Sequence, residues 1–175
     1  MNILQLSYRF PYPPKDGGAI GIFNITKGLS IVGHEVTVLC VNTPKHFFKP
    51  EDLPADVKSM ARFIPVFVDT SITPIKALEN LISGQPFHIS RFKDQTFLQS
   101  LEALLKDEPF DIIQLEGPFM GPYLNSIRSS TDTPVVMRMH NVEHQIWKRL
   151  AGEVRHPLKK AYLKLQARRL KDYET

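Results

Sequence analysis

His140 closes the β-prone run Val135-Val136-Met137-Arg138-Met139. An imidazole at the exit of a buried strand points where ligands bind, and can donate to a hydroxyl or a phosphate oxygen or move a proton near neutral pH. Asn141 and Glu143 follow it. The Glu143 carboxylate has two readings, a cap for the helix that begins near Asn141 and Val142, or a group facing the ligand. Glu116 stands at the equivalent place after Ile112-Ile113-Gln114-Leu115, where a loop carboxylate is commonly just solvated. The third group is Lys15-Asp16-Gly17-Gly18-Ala19, in a stretch that holds five of the nine glycines between Gly17 and Gly33. A residue without a Cβ lets the backbone take a positive φ and approach a ligand, and the free N–H groups opening the next helix favour an anion such as a diphosphate. Gly17 and Gly18, with Asp16 beside them, are therefore read as an anion-binding turn. Gly21 and Gly28 are read as positions that let a helix lie close on a sheet.

These groups need a scaffold that brings strand ends together, and the hydrophobic pattern supplies one. Ile3 to Leu6 and Glu35 to Val41 are short strands, and between them Ile22, Ile25, Leu29 and Val32 recur at helical spacing, closed by Gly33. That is a βαβ unit, with the right-handed crossover such units take. Phe63 to Val68 is a further strand, placed at an edge because Pro65 cannot donate to a ladder. Helices are expected over Glu51–Ala61, Pro74–Ser83, Asp94–Lys106 and Phe119–Ile127, with strands at Ile112–Leu115 and Val135–Met139. The tail, Val142 to Thr175, reads as two helical pieces divided by Arg155-His156-Pro157, the second with Leu158, Tyr162, Leu165, Leu170 and Tyr173 as its apolar stripe. Alternating strands and helices without a hairpin turn argue for an α/β, Rossmann-like, mostly parallel sheet with helices on both faces. In such a sheet ligands bind beyond the carboxyl ends of the strands, at the switch point of strand order, so the loops after strands matter most.

Several classes are disfavoured. A dinucleotide fingerprint ending on Gly18 and Gly21 needs glycine where Asp16 stands, and the second strand ends at Cys40-Val41-Asn42 without an acid for a ribose. Zinc is not expected: there is one cysteine, Cys40, and His140 and His144 lie four apart with no third ligand nearby. Walker and nucleophile-elbow sequences are absent. One thiol and no signal-like N-terminus or long apolar run give the expectation of a soluble, cytoplasmic protein. A length of 175 residues fits one domain, and a net charge of +4 is too small to argue for nucleic acid. The charge is uneven: residues 148–175 carry nine Lys and Arg against three Asp and Glu. Such a basic helix suits either peripheral contact with an anionic membrane face, through residues 148–171, or a partner domain. No glycine, asparagine or proline closes that helix before Thr175, so the chain reads either as a fragment of a longer polypeptide or as ending in a frayed helix.

Arg9-Phe10-Pro11-Tyr12-Pro13-Pro14 with Asp16-Gly17-Gly18-Ala19, then Gly33-His34-Glu35-Val36, then Arg138-Met139-His140-Asn141-Val142-Glu143 resemble, in order and spacing, the N-terminal half of family four retaining glycosyltransferases. The likeness extends to Gln166-Ala167-Arg168-Arg169-Leu170 and Tyr173-Glu174. It implies a GT-B arrangement of two Rossmann-like domains across a cleft, of which residues 1–175 form the acceptor-side domain, with the C-terminal, donor-holding domain absent. It further implies Gly17 and Gly18 near the diphosphate of a nucleotide-sugar donor, with His140 near the transferring sugar as the catalytic histidine. Retention is expected without a metal or other cofactor, with a sugar or lipid-linked acceptor as in surface-polysaccharide or glycolipid synthesis. The isolated chain is expected to be inactive. The alternative is a non-catalytic Rossmann-like module that binds a phosphorylated sugar or a partner protein.

Overall fold

The computed structural model describes the backbone of residues 1–175 and every side chain except those of Pro74 and Ala77. Five parallel strands, β1 (Asn2–Ser7), β2 (Glu35–Asn42), β3 (Arg62–Phe67), β4 (Ile112–Glu116) and β5 (Val135–Arg138), stand in the order β3-β2-β1-β4-β5. The order reverses between β1 and β4, which is the switch point. β3 is an edge strand, as Pro65 requires. The register sets Cys40, Ser7, Glu116 and Arg138 in one row across the carboxyl end of the sheet.

The helices are α1 (Gly17–Ile31), α2 (Ala55–Lys58), α3 (Pro74–Ser83), α4 (Phe87–Ser90), α5 (Gln95–Asp107), α6 (Leu124–Ser130), α7 (Glu143–Glu153) and α8 (Pro157–Glu174). Leu4, Leu6, Leu39, Val41, Ile113 and Leu115 leave one face of the sheet to pack with Phe97 and Leu101 of α5, Ile127 of α6 and Leu170 of α8. Each fully buried side chain of this size contributes about 1.5–3 kcal/mol. On the other face α1 buries Ala19, Ile22 and Thr26, and the Thr26 hydroxyl donates to Gln5 Oε1 at 2.7 Å. Gly33, at φ +84°, turns the chain from α1 into β2 in the left-handed conformation that favours glycine.

Four local expectations change. The segment 51–61 is a 3-10 turn at Pro50–Asp52 followed by the four-residue α2, because Pro54 interrupts it. The helix expected over 119–127 is a 3-10 segment, Pro118–Tyr123, leading into α6. On α1, Ile25 and Val32 are exposed while Thr26 is buried, since Gln5 offers a polar partner beneath the helix. On α8 the stripe through Leu158 and Leu165 is exposed, and Gln166, Ala167 and Leu170 face inward. Gln166 is completely buried, accepting from the Phe87 amide at 2.8 Å and donating to Asn80 Oδ1 at 3.0 Å. Arg169 adds a bond to the Leu81 carbonyl, so polar anchors rather than an apolar stripe dock α8 on α3 and α4.

Candidate active site

The loops after β1, β4 and β5 meet at the switch point around Glu116. Its carboxylate has no solvent exposure. Because Glu116 and Arg138 are register partners, the guanidinium reaches the carboxylate from the neighbouring strand end, with Nε at 3.0 Å and Nη2 at 2.7 Å from Oε2. Gln114, two residues earlier on the same face, donates to Oε1. His140 Nε2 lies 2.8 Å from Oε2, outside the alignment of an N–H···O hydrogen bond. Burial raises the Glu116 pKa, and His140, Arg138 and Gln114 together outweigh it and hold the group below the usual carboxylate value. A fully enclosed carboxylate whose pKa is held low therefore fixes the Arg138 and His140 side chains.

Gly21 presents bare backbone toward the same two side chains. A Cβ there would stand 3.5 Å from Arg138 Nη2 and 3.8 Å from His140 Nδ1. Gly117, at φ +83°, lies at the other edge of the imidazole, where a Cβ would stand 3.5 Å from His140 Cδ2. Tyr8 completes the wall: its ring meets His140 edge-on at 6.0 Å between centroids, and its hydroxyl sits 2.5 Å from where a Cβ on Gly18 would be. The turn glycine and the imidazole are thus brought together through Tyr8. The arrangement can hold a polar group against His140, keep that ring in one orientation and exclude most water from it.

A family model for glycosyltransferase family 4 matches residues 15–173. The chain belongs to glycosyltransferase family 4. A search of curated proteins found no match. The match covers α1 to the end of α8, and with the parallel sheet it makes this a glycosyltransferase-type domain of Rossmann-like architecture.

Within the family 4 domain the remaining candidates fall into different roles. Gly17 and Gly18 form the first turn of α1 with ordinary helical φ, so the expected left-handed turn is not there. Asp16 is the N-cap, its Oδ1 accepting from the Ala19 amide at 3.2 Å and from Arg9 Nη1 at 2.8 Å. Slight burial raises its pKa, but the amide bond and Arg9 outweigh it and hold it low. Asp16 is thus a cap locked to Arg9, and its charge disfavours an anion at its own carboxylate. It leaves the Gly17 and Gly18 amides without a capping acceptor. A Cβ on Gly28 would meet nothing within 4 Å, so that glycine does not bring α1 closer to the sheet. Glu116, a candidate substrate- or donor-binding residue in sequence with a solvated loop carboxylate as its alternative, is not solvated, because the register encloses it. Asn141 is exposed, with Nδ2 3.4 Å from Glu143 Oε1.

Glu143 does not cap α7. That place is taken by Glu174 at the end of α8, whose oxygens accept from the Glu143 and His144 amides at 2.8 and 3.1 Å. His144 also turns its Nδ1 to Glu174, and His140 lies before α7 begins, so the four-residue spacing is not a helical pair of ligands. Glu143 is instead buried, its pKa raised by that burial and by Glu174, with His88 Nε2 3.7 Å away. His88 is neutral, pushed down to about 3 by burial and by Arg91. The sequence reading missed Tyr8, Gly21 and His88 as parts of this region. The Arg138–Glu116 pair had a visible signal, two charged residues ending adjacent expected strands.

Proposed function

We propose that this domain is the N-terminal, acceptor-side half of a GT-B glycosyltransferase that moves a sugar, with retention, from a nucleotide-sugar donor to a sugar or lipid-linked acceptor in polysaccharide or glycolipid synthesis. The observation that carries the reading is the convergence of His140, Arg138, Glu116 and the bare backbone of Gly21 at the switch point of a family 4 domain.

The donor's sugar lies against His140, with its diphosphate near the open amides of Gly17 and Gly18. The imidazole donates to a hydroxyl of the transferring sugar, and the Glu116 carboxylate behind it holds the ring in the orientation that this contact needs. Arg138 is held by Glu116 and acts as a positioning residue. The nucleotide is held by a C-terminal domain across the cleft, and no metal is called on, since amide dipoles and cations of both halves stabilise the leaving diphosphate. Purified full-length protein should transfer sugar from a nucleotide-sugar donor, with product anomer read by NMR matching that of the donor. The 175-residue chain alone should show none. Transfer by this chain alone would overturn the two-domain reading.

A second surface bears on location. Among the described residues, no helix is long and apolar enough to cross a membrane. Lys148, Arg149, Lys164, Arg168 and Lys171 line one groove between α7 and α8, and among the described residues none of its lining is acidic. We read this groove as a peripheral contact for anionic lipid on the cytoplasmic membrane face. Sedimentation with vesicles containing anionic lipid, and release by salt, tests it.

A further inference from the structure

A separate cavity of about 500 Å³ opens at the carboxyl ends of β1, β2 and β3, walled in part by Tyr8, whose ring also meets His140. Its walls are well anchored. Ser7 Oγ donates to the Arg9 carbonyl at 2.6 Å and bends the chain after β1. The Asn42 side chain donates to the Phe48 carbonyl and accepts from the Phe48 amide, pinning the loop that carries Lys45 and His46. The Tyr123 hydroxyl donates to the Phe92 carbonyl at 2.6 Å and fixes the segment that carries Arg91.

Three cations border this space, Arg9, Lys45 and Arg91, and among the described residues no acid lines it. The terminal nitrogens of Arg9 are engaged by Asp16 and by His46 Nδ1 at 3.2 Å, while its Nε is buried without an acceptor. Lys45 and Arg91 form no ion pair and no side-chain hydrogen bond among the described residues, and Arg91 Nε is buried without an acceptor. Arg91 rests over the Phe92 ring at 5.0 Å. A half-buried guanidinium left without an acceptor is costly unless a ligand supplies one. With Arg9 neutralised by Asp16, two positive charges remain, which match a dianion better than a single carboxylate. Tyr8 and Phe92, edge to face at 6.1 Å, give the same space an aromatic wall.

We propose that this cavity binds the acceptor, and that the acceptor is a sugar phosphate. Lys45 and Arg91 hold its phosphate, and its ring lies against Tyr8 and Phe92. A single aromatic side chain separates it there from His140 and the transferring sugar. The assignment rests on the transferase reading for the word acceptor, but the binding itself does not. Calorimetric titration of this chain with a panel of hexose phosphates, their neutral parents and inorganic phosphate tests it. At least one hexose phosphate should bind about tenfold or more tightly than both its parent sugar and inorganic phosphate, as a charge-assisted contact predicts. Lys45→Ala and Arg91→Ala should each weaken that binding by about tenfold or more, and Arg91→Lys by less. Lys106→Ala, an exposed residue in the last turn of α5, should leave it unchanged. Three results would overturn the proposal: inorganic phosphate binding as tightly as every sugar phosphate, no member of the panel binding above its parent, or Lys106→Ala costing as much as Lys45→Ala. No donor or turnover enters the measurement, so it can fail while the transferase reading stands, and the reverse.

Discussion

The rim around His140 and the cavity beside Arg91 share Tyr8 as a common wall, yet their electrostatics are opposite. At the rim Arg138 and His140 both converge on one enclosed carboxylate, and the Glu116–Arg138 pair lies in strand register. In the cavity two cations face open space. A site that must hold one ring still benefits from internal pairing, whereas a site that must capture an anion keeps its cations available. The difference teaches which of the two is scaffold as well as site: the rim is also part of the folded core, and the cavity hangs from loops.

Stability measurements can break that distinction. Glu116→Ala removes the enclosed partner of Arg138 and should cost about 3 kcal/mol in urea denaturation, the low end for breaking a buried pair because Arg138 keeps some water. A loss below about 1 kcal/mol, typical of an exposed pair, would mean the rim is no part of the core.

Acid should act on the rim region through His88 and Glu116. His88 titrates near 6.5 when unfolded and at about 3 when folded, so the unfolded chain binds the proton first and stability falls with pH across that interval. Glu116 is depressed from 4.5, so its contribution is present above that pH and is lost below it. Stability should decline from pH 6.5 to 3.5, with a slope of up to about 1.4 kcal/mol per unit from His88 alone and a steeper one below pH 4.5 where Glu116 adds to it, and His88→Phe should flatten the part above pH 4.5. An unchanged slope in that variant would place the titration elsewhere.

The shared wall gives a finer test. Gly18→Ala drives a methyl into the Tyr8 hydroxyl, whose ring is held by Phe92 and Phe119, and should cost about 1–3 kcal/mol. Gly28→Ala, in open space within the same helix, should stabilise by about 0.5–1 kcal/mol. Equal effects would show that Gly18 has no packing role. Smallest of all, Lys45→Ala should leave stability within about 0.5 kcal/mol, since Lys45 is exposed and unpaired in the fold.

The sheet was readable because each strand is a short apolar run and each long helix carries its spacing, with Pro65 and Gly33 marking an edge and a stop. What misled was chemistry that periodicity does not encode. Gln5 draws Thr26 inward, and Asn80 with the Phe87 amide draws Gln166 inward, so polar pairs displace the apolar stripes of α1 and α8. α4 has only four residues and leaves no period to detect. At the site, His140 stood out because it ends a strand. The enclosure of Glu116 depends on Arg138 falling opposite it in register, and the nearness of Tyr8 and Gly21 to the imidazole joins segments far apart in sequence. Of the two readings of Glu143, the cap fails because the far end of α8 supplies Glu174 in its place.

His140 carries the chemical weight of the account. In the full-length protein His140→Ala should lower the turnover number for sugar transfer by about 10²–10⁴-fold, the range for a positioned proton-bearing group, while the unfolding midpoint stays near that of the parent. Turnover equal to the parent's would remove the imidazole, and the switch-point rim with it, from the reaction.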